Sequence, residues 1–203
     1  MWEGIEMYLE TERLIIRDFV LEDADALEKI KYDKQVMDFV PSLIKRDATI
    51  DDIREAIMYY DSVKGTGKYE EEILYAVVLK ECLTIIGVIT LSDAKFLNEP
   101  QVGWMMRGEY GRKGYASEAA NAVTDYLFTT HPYDYLIVVM DIDNPASYQT
   151  ALKCGFNLFE KRTVYDYKYG RYCDDYYYFR KYNPNSKTRC RFYGDVEYNG
   201  RHS

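Results

Sequence analysis

The sequence predicts an α/β (α+β) fold, a mixed and strongly twisted sheet of about seven strands flanked by four helices. Three observations carry this expectation. Ile73 to Lys80 and Thr84 to Leu91 are two runs rich in β-branched residues, joined by a short turn around Glu81, and read as an antiparallel hairpin. Gln101 to Met106, a glycine-rich turn and an amphipathic run reaching Leu127 follow one another as strand, turn and helix. Tyr135 to Asp141 is a continuous apolar run, the mark of a central strand buried on both faces.

The remaining elements follow in chain order. Arg13 to Val20 is β-branched and partly alternating, a first strand. Leu21, Ala24, Leu27 and Ile30 recur at three-residue spacing among acids and form a short amphipathic helix. Thr49-Ile50-Asp51-Asp52 reads as a helix start, with Ile53, Ala56, Ile57 and Tyr60 as the apolar face. Asp61 to Glu72 is a polar, glycine-bearing loop. Ala116, Ala119, Ala120, Val123 and Leu127 mark the helix after the glycine-rich turn as core-facing. Asn144 to Lys153 is a short helix stopped by Gly155. Phe156 to Arg162 and Asp174 to Tyr182 are the last two strands. Beyond Asn183-Pro184 the composition turns polar, so 183–203 reads as a tail.

Composition excludes several classes of function. At 203 residues the chain suits one domain that buries about 70 % of its unfolded surface. The net charge of -8 argues against a direct nucleic-acid footprint and is compatible with a cationic acceptor. Cys82, Cys154, Cys173 and Cys190 form no CxxC pair, and the histidines are His131 and His202, so no metal site is expected. Scattered cysteines without a signal peptide read as reduced thiols, hence a cytoplasmic location. No apolar run is long enough to span a membrane. The 22 tyrosines, many in the last third, read chiefly as cross-strand packing. They also suit pairing between two copies, so a homodimer is one expected arrangement.

Two glycine-bearing segments invite a phosphate-binding reading. Gly65-Thr66-Gly67-Lys68 fails it: the phosphate loop of nucleotide-binding proteins needs a glycine where Ser62 stands and Ser or Thr where Tyr69 stands. The segment from Arg107 to Ala116 is stronger, with three cations and three glycines in ten residues. Its glycines let the backbone bend closely around a ligand, and the helix behind it offers unpaired N–H groups and a positive dipole end to an anion. The alternative is a structural strand-to-helix turn with solvated basic residues.

The stretch from Glu109 to Ala119, following a strand, resembles the acyl-CoA-binding signature of the GNAT N-acetyltransferases. Three further segments are similar to the ribosomal-protein N-terminal acetyltransferase-like branch of that family: Thr11 to Arg17, Ile85 to Ile89 with Gly87 in place, and Asn144-Pro-Ala-Ser147 followed by Lys153-Cys-Gly-Phe156. These landmarks run in the family's order over about residues 10–182, the expected extent of the domain. The resemblance implies the acyl-CoA N-acyltransferase fold, acetyl-CoA as cosubstrate held between the fourth and fifth strands, and transfer of its acetyl group to a primary amine by direct attack in a ternary complex. The acceptor would be a protein N-terminus or a small-molecule amine.

Carried over by position, the resemblance gives roles. The backbone of Trp104, Met105 and Met106 would pair with the pantetheine arm. The N–H groups of Gly111, Arg112, Lys113, Gly114, Tyr115 and Ala116 would cradle the pyrophosphate, with Arg112 and Lys113 adding charge. Asn144 would hydrogen-bond the cofactor chain, and Ser147 would sit near the thioester sulfur as the catalytic hydroxyl. Departures exist. The family's turn usually has Gln or Arg and then Gly, whereas Gly111 and Arg112 exchange these. Many relatives place a tyrosine acid where Ala151 stands and a glutamate where Gln101 stands. Glu99 shares a face with Gln101 on a strand, so Glu99 and Asp93 are the candidates for general base, each also readable as a solvated loop acid. Gln101 and Ala151 favour an alternative, a non-catalytic acyl-CoA-binding protein on the same fold. The acceptor loops, 30–70 and 163–176, carry no recognisable pattern.

Overall fold

The computed structural model describes residues 6–39, 47–63, 73–94, 99–166 and 171–186. The segment Gly65 to Lys68, parts of both expected acceptor loops and most of the polar tail lie outside the described residues. The strands are β1 (Tyr8–Glu10), β2 (Leu14–Asp18), β3 (Ile73–Leu79), β4 (Thr84–Ala94), β5 (Glu99–Met106), β6 (Tyr135–Asp141), β7 (Asn157–Asp166) and β8 (Arg171–Tyr182). The helices are α1 (Ala24–Lys31), α2 (Lys34–Phe39), α3 (Ile50–Val63), α4 (Tyr115–Thr130) and α5 (Pro145–Lys153). One sheet holds all eight strands in the order β1-β2-β3-β4-β5-β6-β8-β7. Every pairing is antiparallel except that of β5 with β6.

The mixed sheet is as expected, with one strand and one helix more. β1 has three residues and α2 six, too short for either the two-residue or the 3.6-residue period to register. Each sheet face carries its own core. Tyr75, Val77, Ile86, Ile89, Val102 and Met106 join the buried side of α4, Ala119, Ala120, Val123 and Leu127, with Phe156 and Phe179. On the other face Ala76, Val78, Val88 and Met105 meet Leu27, Ile30, Val36, Ile53 and Ile57 of the first three helices.

Two irregularities place the site. β5 and β6 register at a single residue pair, Gln101 with Ile137, so these parallel strands part beyond it, leaving Trp104 to Met106 without a strand partner on that side. A bulge in β4 sits opposite: Val77 pairs with Gly87 and Val78 with Ile85, leaving Ile86 extra, and the Ile86 carbonyl accepts the Arg107 N–H at 2.9 Å. Gly87 beside it carries no Cβ because one would collide with the Met105 carbonyl oxygen and the Met106 sulfur.

The ends of α5 are fixed by sequence. Asn144 accepts the Ser147 N–H at 3.0 Å, Pro145 starts the helix, and Gly155 at φ +76° stops it. The N–H of Gly155 reaches Leu152 and that of Phe156 reaches Ala151, the paired bonds of a glycine-capped helix end. The described start of the tail is anchored: Asn183 Nδ2 donates to the carbonyls of Phe128 and Tyr133 at 3.1 and 3.0 Å.

Candidate active site

The parting of β5 and β6 opens onto a cavity of about 410 Å³. Trp104, Met105 and Met106 of β5 form one wall, and Ser147 and Thr150 of α5 with Asn144, which caps it, stand along another. Between them, Gly111, Arg112 and Gly114 of the glycine-rich turn join Tyr115, Ala116 and Ser117 at the start of α4. An eight-stranded sheet would normally close such a gap with backbone hydrogen bonds. Here Trp104 to Met106 have no strand partner on the cavity side to take up their backbone groups.

The turn is bent by two left-handed residues, Arg112 at φ +60° and Gly114 at φ +83°. Glycine reaches that region freely, arginine rarely. Gly111 itself has φ -63° and ψ 158°, which any residue adopts. The left-handed backbone therefore falls on Arg112, the position where the resemblance implies glycine, and not on Gly111. Gly114 precedes the first turn of α4, whose leading N–H groups have no acceptor within the helix and line the cavity. An anion is favoured there by those donors and by the helix dipole.

The proposed residues divide as follows. Trp104, Met105, Met106, Gly111, Arg112, Gly114, Tyr115, Ala116, Asn144 and Ser147 all line this cavity. Lys113 does not; its Nζ lies 5.4 Å from the Tyr110 ring centre and its carbonyl is held by Arg13. The Asn144 side-chain oxygen is engaged in capping α5, which leaves its amide N–H groups as the donors toward a ligand. Glu99 lies apart from the lining, paired to Nη2 of Arg180 at 2.9 and 3.2 Å. Asp93 pairs through its backbone with Pro100, and its side chain lies outside the described part. Ala151 is fully buried in the core.

Sequence reading missed α2, which adds Gln35, Val36 and Phe39 to the cavity. Asp33, just before it, accepts the Gly108 N–H at 3.0 Å and ties α2 to the turn. The signal that could have found it is the capping acid itself: the Asp33 carboxylate accepts the Gln35 N–H at 2.9 Å. One tyrosine pair packs across strands, Tyr135 against its register partner Tyr182 at 5.7 Å, and Tyr177 of β8 packs on Tyr148 of α5 at 5.3 Å. Among the described residues there is no group of three or more His, Cys, Asp or Glu placed to hold a metal ion, and no helix is long and apolar enough to cross a membrane.

The fold recurs in known proteins. Residues 13–157 match the model of the acetyltransferase (GNAT) domain. The chain is 30 % identical over 174 residues to the uncharacterized N-acetyltransferase YnaD of Bacillus subtilis, covering 85 % of this chain and 95 % of that protein. Ribosomal-protein-S5-alanine acetyltransferase from Vibrio fischeri superposes with a TM-score of 0.72 at 20 % identity, over 90 % of this chain and 100 % of that one. Spermidine N-acetyltransferase from Vibrio cholerae, solved with CoA and spermine, gives 0.67 at 17 % identity, over 85 % and 97 %. These two likenesses establish the fold. With the domain match and the YnaD identity, the chain belongs to the GNAT acetyltransferase family.

Proposed function

We propose that this protein transfers the acetyl group of acetyl-CoA to a primary amine by direct attack within a ternary complex. One observation carries the reading: the unpartnered edge of β5 and the open start of α4 line the same cavity. A long ligand with amides at one end and phosphates at the other matches that order of donors. The fit extends to charge, since Arg112 and Lys153 are the cations among the lining residues of an acidic chain.

Acetyl-CoA, when bound, supplies an acetyl group activated as a thioester. The chain's own groups do the rest. N–H groups at the start of α4, with the Arg112 guanidinium, hold the diphosphate; Lys113 adds charge from outside the lining. The backbone from Trp104 to Met106 takes the pantetheine amides, and a β5 N–H stabilises the charge that grows on the carbonyl oxygen as the amine attacks. Asn144 donates to the cofactor chain. The Ser147 hydroxyl hydrogen-bonds the departing sulfur, whose ordinary pKa of about 8.5 lets it leave as thiolate. The proton that the attacking nitrogen sheds as the amide forms passes through water to that thiolate or to solvent.

The acceptor must arrive as the neutral amine. With Glu99 engaged by Arg180, positioning carries much of the rate, an effect worth several kcal/mol (roughly 7 or more at best). The similar proteins are named for a protein alanine and for spermidine, so both acceptor classes enter the test. The net charge of -8 favours a cationic one. Cysteines without CxxC pairing support a cytoplasmic location.

The engagement of Glu99 and the buried Ala151 also favour the rival reading, an acyl-CoA-binding protein without turnover. Calorimetric titration with acetyl-CoA, in parallel on Gly114→Trp, tests the site. Binding in the wild type lost in the variant is expected, because residue 114 has φ +83°. No binding in the wild type refutes the reading. Thiol release with a panel of primary amines, including a polyamine and N-terminal peptides, then separates transfer from binding alone.

A further inference from the structure

Arg13 stands just before β2, more than ninety residues from the phosphate turn, yet its side chain reaches Lys113 of the turn and Tyr115 and Glu118 of the helix behind it. Nε and Nη2 donate to Glu118 Oε2 at 2.7 and 2.6 Å, and Nη1 donates to the Lys113 carbonyl at 3.0 Å. The guanidinium lies 4.5 Å from the centre of the Tyr115 ring. The other Glu118 oxygen accepts the Arg13 N–H at 2.9 Å and the Thr11 hydroxyl at 2.6 Å. Residues 113, 115 and 118 bracket the start of α4, so one planar fork fixes the last residue before the left-handed Gly114 and the first turn after it. Arg13 itself is outside the cavity lining, and its charge is balanced by Glu118.

We infer that Arg13 is a positioning residue for the diphosphate end of the ligand: it presets the backbone N–H groups of the turn in their binding geometry. This rests on the acetyl-CoA reading above. Two left-handed residues in a glycine-rich turn leave it with many alternative shapes, and ordering them at the moment of binding would cost affinity. A guanidinium supplies five N–H donors on three nitrogens in fixed directions; an ammonium of lysine cannot span the Glu118 carboxylate and the Lys113 carbonyl together.

The test compares two ligands on the full chain, acetyl-CoA and S-acetyl-pantetheine, which lacks the nucleotide and its phosphates. In Arg13→Lys the preference for acetyl-CoA, taken as the ratio of the two Kd values by equilibrium titration, is expected to fall about tenfold, the effect of losing about one oriented contact. Glu118→Gln, which keeps the shape of the side chain and removes the charge, is expected to fall in the same direction. An unchanged ratio in either folded variant overturns the inference, and so does an equal loss for both ligands, which assigns Arg13 to general stability. Absence of acetyl-CoA binding in the wild type is a different result: it removes the acetyl-CoA reading before any variant is compared.

Discussion

The Glu99 carboxylate reaches across β6 to Arg180 of β8, at 2.9 and 3.2 Å from Nη2, and the Arg180 side chain is only 4 % exposed. The pair sits at the closed end of the wedge. Gln101, two residues on, pairs with Ile137, which pairs on its other edge with Arg180. Tyr135 and Phe159 flank the guanidinium at 4.4 and 3.9 Å from their ring centres. A carboxylate held this way braces the strands where they part. In Glu99→Gln the buried guanidinium loses a directly bonded charge partner, and the protein is expected to lose about 3 kcal/mol of stability in urea unfolding. Acetyl transfer by the folded variant is expected to keep the acid limb of its pH–rate profile. Disappearance of that limb would identify Glu99 as the base and overturn the bracing role.

Arg112 sets backbone against side chain. Its φ of +60° disfavours any residue with a Cβ, while the residue is one of the two cations among the described residues that line the cavity. Arg112→Gly is expected to raise stability by about 1 kcal/mol by removing the left-handed cost. The same change is expected to weaken acetyl-CoA binding, because a cation leaves the phosphate end. Thermal melts and titration on one preparation read both. A variant that is less stable, or that binds more tightly, contradicts the assignment.

What was legible in the sequence had either a long period or a motif with a backbone reason. Tyr135–Asp141 is read from its unbroken apolar run and matches β6 at both ends. The turn was legible because glycines, cations and a helix start coincide within ten residues. Six-residue α2 offers fewer than two turns of periodicity, and its share of the cavity went unseen with it. The ion pairs of Arg13 with Glu118 and of Glu99 with Arg180 join residues 105 and 81 positions apart. No local spacing connects such partners; only the sheet order does. The same holds for Glu99 as a candidate base: strand alternation gave its face, and the partner across β6 was invisible.

Gly87 makes a steric prediction. A Cβ there would overlap the Met105 carbonyl oxygen, which is backbone of the strand that carries the cavity wall. A flexible side chain would yield, but β5 cannot move without breaking its register with β4. Gly87→Val is expected to cost about 2–3 kcal/mol or more, at the upper end for overpacking. It should also lower acetyl-CoA affinity, because Met105 and Met106 line the cavity. Gly155→Val provides the comparison: φ is +76° there, yet the nearest atom to an added Cβ is the far end of the Lys181 side chain at 3.8 Å. It should destabilise through backbone strain while leaving affinity intact. Equal losses of affinity in the two variants would refute the link between Gly87 and the cavity.

The clamp on the turn should be visible in the pH dependence of stability. Burial opposes ionisation of Glu118, but the Thr11 hydroxyl and the Arg13 N–H and guanidinium outweigh it, so the carboxyl titrates below its ordinary value of 4.5. The unfolded chain therefore takes up this proton at a higher pH than the folded one. Stability from the clamp is fully present above the unfolded value and is lost as pH falls through the lower folded one. Arg13 is 41 % exposed, so solvent screens the pair, and Glu118→Gln is expected to lose about 1–2 kcal/mol at neutral pH. The gap between wild type and variant in urea unfolding should stay level from about pH 7 to about pH 5.5, then narrow below about pH 4.5 as the wild-type carboxyl becomes protonated. A gap that widens on acidification would reverse the sign of the linkage, and would mean that the proton is held more tightly in the folded protein than in the unfolded chain.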